Sequence, residues 1–210
     1  MPFVSFILAY LIGTINPAWL YQKYVNQSDL RKQGSNNLGA RNLYDVTGSM
    51  KASLLVGMFD VLKGAVAVIT AFILSPSDYT VVAAAGAGVV TGHNYNVFLG
   101  WKGGRGLATA LGVGAVLFPP IVITWGVMYI VGYYAIRRDI HVGSMTATIA
   151  TFFIGFSMPE SAIRAMSTVA LQNTTELRIL NAAICLLLFF RHLAPIREVM
   201  RAAQAETDEE

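Results

Sequence analysis

LATALGVGAVLFPPIVITWGVMYIVGYYAI, residues 107–136, decides how this chain is threaded through a membrane. Read straight through, it is one long apolar helix. Pro119 and Pro120 argue otherwise. Proline lacks a backbone N–H and disfavours helix at the residue before it, so the pair predicts a break with a shorter helix on each side. The basic residues arbitrate. With two helices, Arg137 and Arg138 fall on the same side as the earlier basic loops. Arg164 and Arg178 lie on the other side and Lys63 within the membrane, which leaves the remaining 12 of the chain's 15 Lys and Arg residues on one side. That asymmetry is what the positive-inside tendency requires. A single helix would carry the Arg137/Arg138 pair across and invert everything after it.

Composition agrees with a membrane reading. The chain is 55% hydrophobic and only 13% charged, with a mean hydropathy of +0.54; a soluble domain carries roughly 25% charged residues. The predicted class is an all-α integral membrane protein, a bundle of about seven transmembrane helices, some of them short or re-entrant. The spans are expected near Phe3–Leu20, Ser53–Leu74 and Tyr79–Thr91, on either side of the Pro119 break, and near Val142–Met158 and Leu177–Phe190. The first has no basic residue ahead of it, with Lys23 following, so it reads as a transmembrane helix and not a cleaved signal. SPSD at 75–78 predicts a tight turn. The predicted localisation is the plasma membrane, with the N-terminus outside and the C-terminus cytoplasmic. Residues 1–202 read as one transmembrane unit and 203–210 as an acidic, disordered tail. The net charge of +3 raises the question of nucleic acid, but the cations sit in short loops and form no stripe, so no nucleic-acid partner is expected. The single cysteine, Cys185, sits in an apolar run and reads as a core residue.

The polar chemistry is concentrated in few places. GHNYNVFLGWKGGRGLAT, residues 92–109, sets Gly103, Gly104 and Gly106 around Arg105 just before a predicted helix. Such glycines let backbone approach a ligand, and amide N–H groups, a guanidinium and a helix N-terminus together suit a phosphate. The alternative is that the glycines only allow close helix packing. The topology places this loop on one cytoplasmic face with SDLRKQGSNNLGARN (28–42), the Arg138–Ser144 connection and Arg191-His192. Glycines, small donors, arginines and a histidine at the mouth of a bundle suit a phosphorylated, water-soluble ligand meeting a lipid-like one.

These residues carry a family resemblance. Asp29-x-Arg31-x-x-Gly34-Ser35-x-Asn37-x-Gly39-Ala40-x-Asn42, then Gly92-His93 with Lys102-Gly103-Gly104-Arg105-Gly106-x-Ala108-Thr109, then Arg191-His192, together resemble the three motifs of the bacterial acyl-phosphate:glycerol-3-phosphate acyltransferases (PlsY). FDVLKG (59–64) and SMTAT (144–148) are also similar to family segments. The resemblance covers nearly the whole chain. It implies a seven-helix enzyme that moves a fatty acyl group from acyl phosphate to the 1-hydroxyl of glycerol 3-phosphate, without coenzyme A or a metal. Lipid bilayer, acyl phosphate and glycerol 3-phosphate are the expected partners, and no cofactor is expected.

The chain departs from the family pattern at several places. Arg105 stands where the family has lysine. Asn36 replaces a glycine, Arg41 a threonine and Asp45 a functional arginine. Asn96 replaces a proline, and Pro195 stands where the third motif has asparagine, with the following Gly-x-Glu missing. Arg41 and Asp45 are four apart, so on a helix they share a face, and Arg41 becomes a candidate replacement cation oriented by Asp45. A plain surface ion pair is the alternative.

An acyl phosphate is already activated, so the protein need only place the acceptor hydroxyl and stabilise developing charge. The candidate catalytic residues are Ser35, Arg105 and His192. The candidate substrate contacts are Arg31, Asn37, Arg41, Asn42, His93, Gly103, Gly104, Gly106 and Ser144. His93 could instead brace the loop, His192 could be an interfacial anchor, and His141 reads as a connection residue. Asp60 and Lys63, three apart inside the membrane, read as a structural ion pair. A transporter of a phosphorylated solute and a non-catalytic, lipid-binding paralogue are the rival readings.

Overall fold

The structure, a computed structural model, describes residues 1–171 and 173–208. Among the described residues it is wholly helical: α1 (Pro2–Thr14), α2 (Pro17–Tyr24), α3 (Ala40–Thr47), α4 (Met50–Leu74), α5 (Tyr79–Asn94), α6 (Leu107–Leu117), α7 (Pro119–Val131), α8 (Ile140–Ser157), α9 (Glu160–Met166) and α10 (Thr174–Asp208). Among the described residues five stretches are long and apolar enough to cross a membrane: Pro2–Tyr24, Met50–Leu74, Pro119–Ile136, Ile140–Ser157 and Thr174–Ala205. Helices α5 and α6 have 16 and 11 residues, short of the roughly 20 of a perpendicular crossing.

The break at Pro119 is present. Phe118 is extended (φ −154°, ψ 77°) and buried, and Pro119 opens α7. A proline costs nothing at the first helical position, where its missing N–H would have no partner. The same device divides the first predicted span. Asn16 leaves the helix, its side chain caps Trp19 N at 2.8 Å, and Pro17 starts α2.

Other elements differ from expectation. The short α9 follows Pro159 in the connection between the last two predicted spans, where no element was expected. Helix α10 runs straight through Pro195 to Asp208, into the stretch that composition reads as a disordered tail. Glu209 and Glu210 lie outside the described residues.

Helix α5 is the hub, packed against α1, α4, α6 and α10. Lipid offers no hydrophobic drive between helices, so small residues that let backbones touch take over that role. A Cβ on Gly88 or Gly92 would run into the carbonyl oxygens of Phe6 or Tyr10 on α1. Gly64 and Gly112 make the same close approach between α4 and α6, against Thr109 and Val61. A core of valine and alanine, including Val68, Val82, Ala85, Val89 and Val113, fills the centre. Phe3, Leu8 and Leu11 of α1 stay outward and exposed, as lipid-facing residues would.

Candidate active site

The first polar loop is held from inside by Asn42. This side chain is buried; its Oδ1 accepts from Ser35 N (2.9 Å), and its Nδ2 donates to Gln33 O (3.0 Å) and Asn37 O (2.8 Å). Asn36 has φ +58°. A left-handed position there explains why asparagine, the side chain most tolerant of that region, can stand where the family has glycine. Arg31 turns back on Asp29, with Nη2 2.7 Å from Oδ2. Its hydrogen bonds hold the Asp29 carboxyl down to about 2.

The glycine loop is held from two directions. Arg191 of α10 donates from Nε to Gly104 O (3.0 Å) and from Nη2 to Gly103 O (2.8 Å). Leu38 N reaches the same Gly103 oxygen at 3.3 Å, which ties the two loops together. On the α5 side, Gly104 N donates to His93 O (3.1 Å), and the His93 ring lies where a Gly104 side chain would have to be. The expectation that the Gly104 amide faces a phosphate is therefore corrected: that N–H is committed within the protein. Gly106 (φ +84°) opens α6 against Asn94. Asn96, at the family's proline, donates to Thr14 O (2.6 Å) and accepts from Phe98 N (3.0 Å).

Beneath the loop lies a buried charged cluster. Lys63 Nζ is 2.8 Å from Asp60 Oδ1, 2.8 Å from Ile15 O, 3.2 Å from Gly13 O and 2.9 Å from His93 Nδ1. His93 is thus part of the loop's footing and does not face the cavity described next.

A polar cavity of about 310 Å³ gathers Ser35, Arg41, Asn42, Asp45 and Arg105 with Tyr133, Arg138, Asp139, Ile140 and His141. Arg41 and Asp45 pair at 2.9 Å on α3, both well exposed (61% and 43%). Arg105 approaches His141 Nδ1 with Nη1 at 3.4 Å. Burial and then the charge of Arg191 push the Arg105 guanidinium below its ordinary value, while the Glu198 and Asp45 carboxylates oppose the shift.

Of the residues singled out from sequence, the cavity brings together Ser35, Arg41, Asn42 and Arg105. Arg31, Asn37, Gly103, Gly104, Gly106, Ser144 and His192 are not among its lining residues. Ser144 Oγ bonds back to Ile140 O at 2.7 Å. His192 is 1% exposed, with Nδ1 donating to Leu188 O at 2.7 Å. Topology read from the sequence brings the Arg138–Ser144 connection to this face, but His141 reads there only as a connection residue, and Tyr133 was missed. Its signal lies in the chain ending α7 in a π-helical turn, Gly132–Ile136, a feature that recurs at functional sites, followed by Asp139 capping His141 N and Val142 N at the start of α8.

Alongside the cavity runs an apolar groove of about 800 Å³ between α4, α6, α7, α8 and α10. Arg41 lines both. Along one side stand Met50, Leu54, Met58 and Leu62, all more than half exposed. Phe118, Ile163 and Leu177, which belong to one packed cluster, line it further on.

Comparison with known proteins fits this geometry. Residues 3–202 match the profile of the family described as glycerol-3-phosphate acyltransferase. The glycerol-3-phosphate acyltransferase of Thermoanaerobacter sp. (strain X514) is 32% identical over 203 residues, covering 95% of this chain and 92% of that one. The Neisseria meningitidis protein of the same name is 34% identical over 206 residues, covering 96% and 95%. The crystal structure of PlsY, an integral membrane glycerol 3-phosphate acyltransferase in its glycerol 3-phosphate form, superposes with a TM-score of 0.77 at 31% identity, covering 96% of this chain and 92% of that one. A match over nearly the whole chain, in fold as well as sequence, places this protein in the glycerol-3-phosphate acyltransferase family.

Proposed function

We propose that the protein is a membrane acyltransferase that moves a fatty acyl group from acyl phosphate to glycerol 3-phosphate, giving lysophosphatidic acid and inorganic phosphate. One observation carries this reading: Arg41 lines both an arginine-lined polar cavity and a long apolar groove. A ligand with a charged head and an aliphatic tail fits that junction. Each methylene leaving water for the groove contributes about 0.8 kcal/mol. Related PlsY structures are described in a glycerol 3-phosphate form and a lysophosphatidic acid form, a phosphorylated acceptor and an acylated product of the kind this junction would hold.

In the reaction, the acceptor's 1-hydroxyl attacks the acyl carbonyl carbon and the carbonyl–phosphate C–O bond breaks. The departing phosphate carries off the hydroxyl proton. No side-chain nucleophile is needed, and the protein's contribution is placement and charge stabilisation. Arg105 and Arg41 hold phosphate oxygens, and Ser35, on the loop pinned by Asn42, contacts a hydroxyl or phosphate oxygen. Lys23, Arg31, Lys32 and Lys102 flank this end of the bundle in sequence, which supports a cytoplasmic site, a C-terminus inside and an N-terminus outside the plasma membrane. Residues 1–202 then form the acyltransferase unit, and 203–210 an acidic tail.

The test is purified protein with palmitoyl phosphate and labelled glycerol 3-phosphate, with acyl-CoA as control donor. Labelled lysophosphatidate from acyl phosphate alone is expected. Absence of product from both donors, in folded protein, would favour a lipid-binding paralogue instead.

Arg41 also has a testable role of its own. Its pairing with Asp45 supports the view that it supplies the cation that Asp45 displaces. Arg41→Ala is expected to lower transfer at least tenfold at subsaturating donor, since charge-assisted bonds of this kind contribute about 1.5–3 kcal/mol. An unchanged rate would reduce the pair to a surface contact.

A further inference from the structure

We propose that His141 is a catalytic residue, a neutral hydrogen-bond donor to the oxyanion that forms on the acyl carbonyl. The inference rests on the acyl-transfer reading and adds a group that the motifs do not contain. Three histidines compete for the role, and packing separates them. His93 is buried, its Nδ1 facing Lys63 and its ring against Gly104. His192 is buried, its Nδ1 bound to the Leu188 carbonyl. His141 alone of the three lines the polar cavity, and it is partly exposed there.

The contact with Arg105 sets what His141 can do. Arginine has donors and no acceptor. A nitrogen 3.4 Å from Arg105 Nη1 must therefore present its lone pair, which makes Nδ1 the acceptor and leaves the ring proton on Nε2. The ring is then a neutral donor with Nε2–H available, and no described residue takes that hydrogen bond. The backbone is equally committed, because Asp139 Oδ1 accepts from His141 N at 2.7 Å and fixes the first turn of α8.

The cavity's charges decide which substrate oxygen this donor serves. Arg105 faces His141 from the glycine loop, Asp139 and Arg138 from the connection before α8, Arg41 from α3 and Glu198 from α10. Phosphate groups are drawn to the guanidinium groups. An uncharged donor suits the carbonyl oxygen, which is neutral in the bound donor and gains charge only as the tetrahedral intermediate forms. A donor that strengthens its bond only in the transition state raises kcat and leaves KM alone.

The experiment compares kcat and KM for both substrates in the wild type, His141→Ala, His141→Ser and His141→Gln. Removing one oxyanion donor lowers kcat about 10²- to 10³-fold. His141→Ala and His141→Ser, each too short to reach, should show that loss with KM for glycerol 3-phosphate and acyl phosphate within about threefold of wild type. Glutamine keeps a neutral N–H at similar reach and should restore at least tenfold over alanine. A kcat for His141→Ala or His141→Ser within threefold of wild type would overturn the proposal. So would a rise in KM with kcat preserved, which would make His141 a binding contact. If His141→Ala fails to fold, His141→Ser and His141→Gln decide between the same outcomes. An inactive wild type would remove the acyl-transfer reading and this inference with it, whereas an active wild type with indifferent variants removes only the role of His141.

Discussion

Arg105→Ala should abolish most of the transfer activity, lowering kcat/KM for acyl phosphate by about 10²- to 10³-fold, the loss typical of removing one preorganised charge-stabilising donor. The guanidinium is partly withdrawn from water and stands close to His141, whereas the Arg41 side chain, which also lines the cavity, is 61% exposed and paired with Asp45. Arg105→Lys should recover part of the activity. It keeps the charge, and a donor-only head group, but loses the planar fork that can hold two phosphate oxygens at once. Initial rates with palmitoyl phosphate and labelled glycerol 3-phosphate would show this ordering. Equal rates for the alanine and wild-type proteins would exclude Arg105 from the chemistry.

Lys63→Met should destabilise the protein more than any single change in the cavity. The ammonium meets Asp60, two helix-end carbonyls and His93, and its side chain is 3% exposed. Breaking a buried ion pair on one side costs about 3–5 kcal/mol, because the partner keeps its charge without its counter-ion; here Asp60 Oδ1 is left with only the His93 ring, Nδ1 at 3.4 Å. The effect should appear as a lower thermal unfolding midpoint in detergent. Adding Asp60→Asn to Lys63→Met should recover a large part of it, since the orphaned charge is then gone. A single mutant as stable as wild type would show that Asp60 finds solvent or another partner. The double mutant separates loss of the ion pair from loss of the two carbonyl contacts, which it does not restore.

The sequence made the membrane class, the Pro119 break and the two motif loops legible, because each rests on local chemistry. Proline dictates its own backbone, and asparagine and glycine declare tight turns. The Arg41–Asp45 pair was readable for the same reason, being one helical turn. Other features were not local. Apolar periodicity says little about which face of a membrane helix packs inward, since both faces are apolar. Topology brought the Arg138–Ser144 connection to the face of the glycine loop, but nothing in the sequence paired His141 with Arg105 or added Tyr133 to the cavity, because those placements depend on how the start of α8 and the end of α7 pack against a loop far away in the chain. Gly104 illustrates the same limit. Its amide is available in a local reading, but His93 takes it once α5 and the loop are packed. Helix α10 continuing through Pro195 also escaped. One missing hydrogen bond weighs less in a helix whose remaining turns are held by packing against α5 and α8.

The exposed flank of the apolar groove has a kinetic consequence. Met50, Leu54, Met58 and Leu62 line it and also face outward, where the bilayer would be. A donor entering there diffuses in two dimensions, so the quantity that saturates the enzyme is its mole fraction in the lipid. Rates at fixed total acyl phosphate should fall as inert lipid is added to proteoliposomes and be restored when the donor-to-lipid ratio is restored. Rates that follow bulk concentration instead would mean that the donor arrives through water. By this surface dilution, expansion of the membrane would itself slow the enzyme that supplies its lipid precursor.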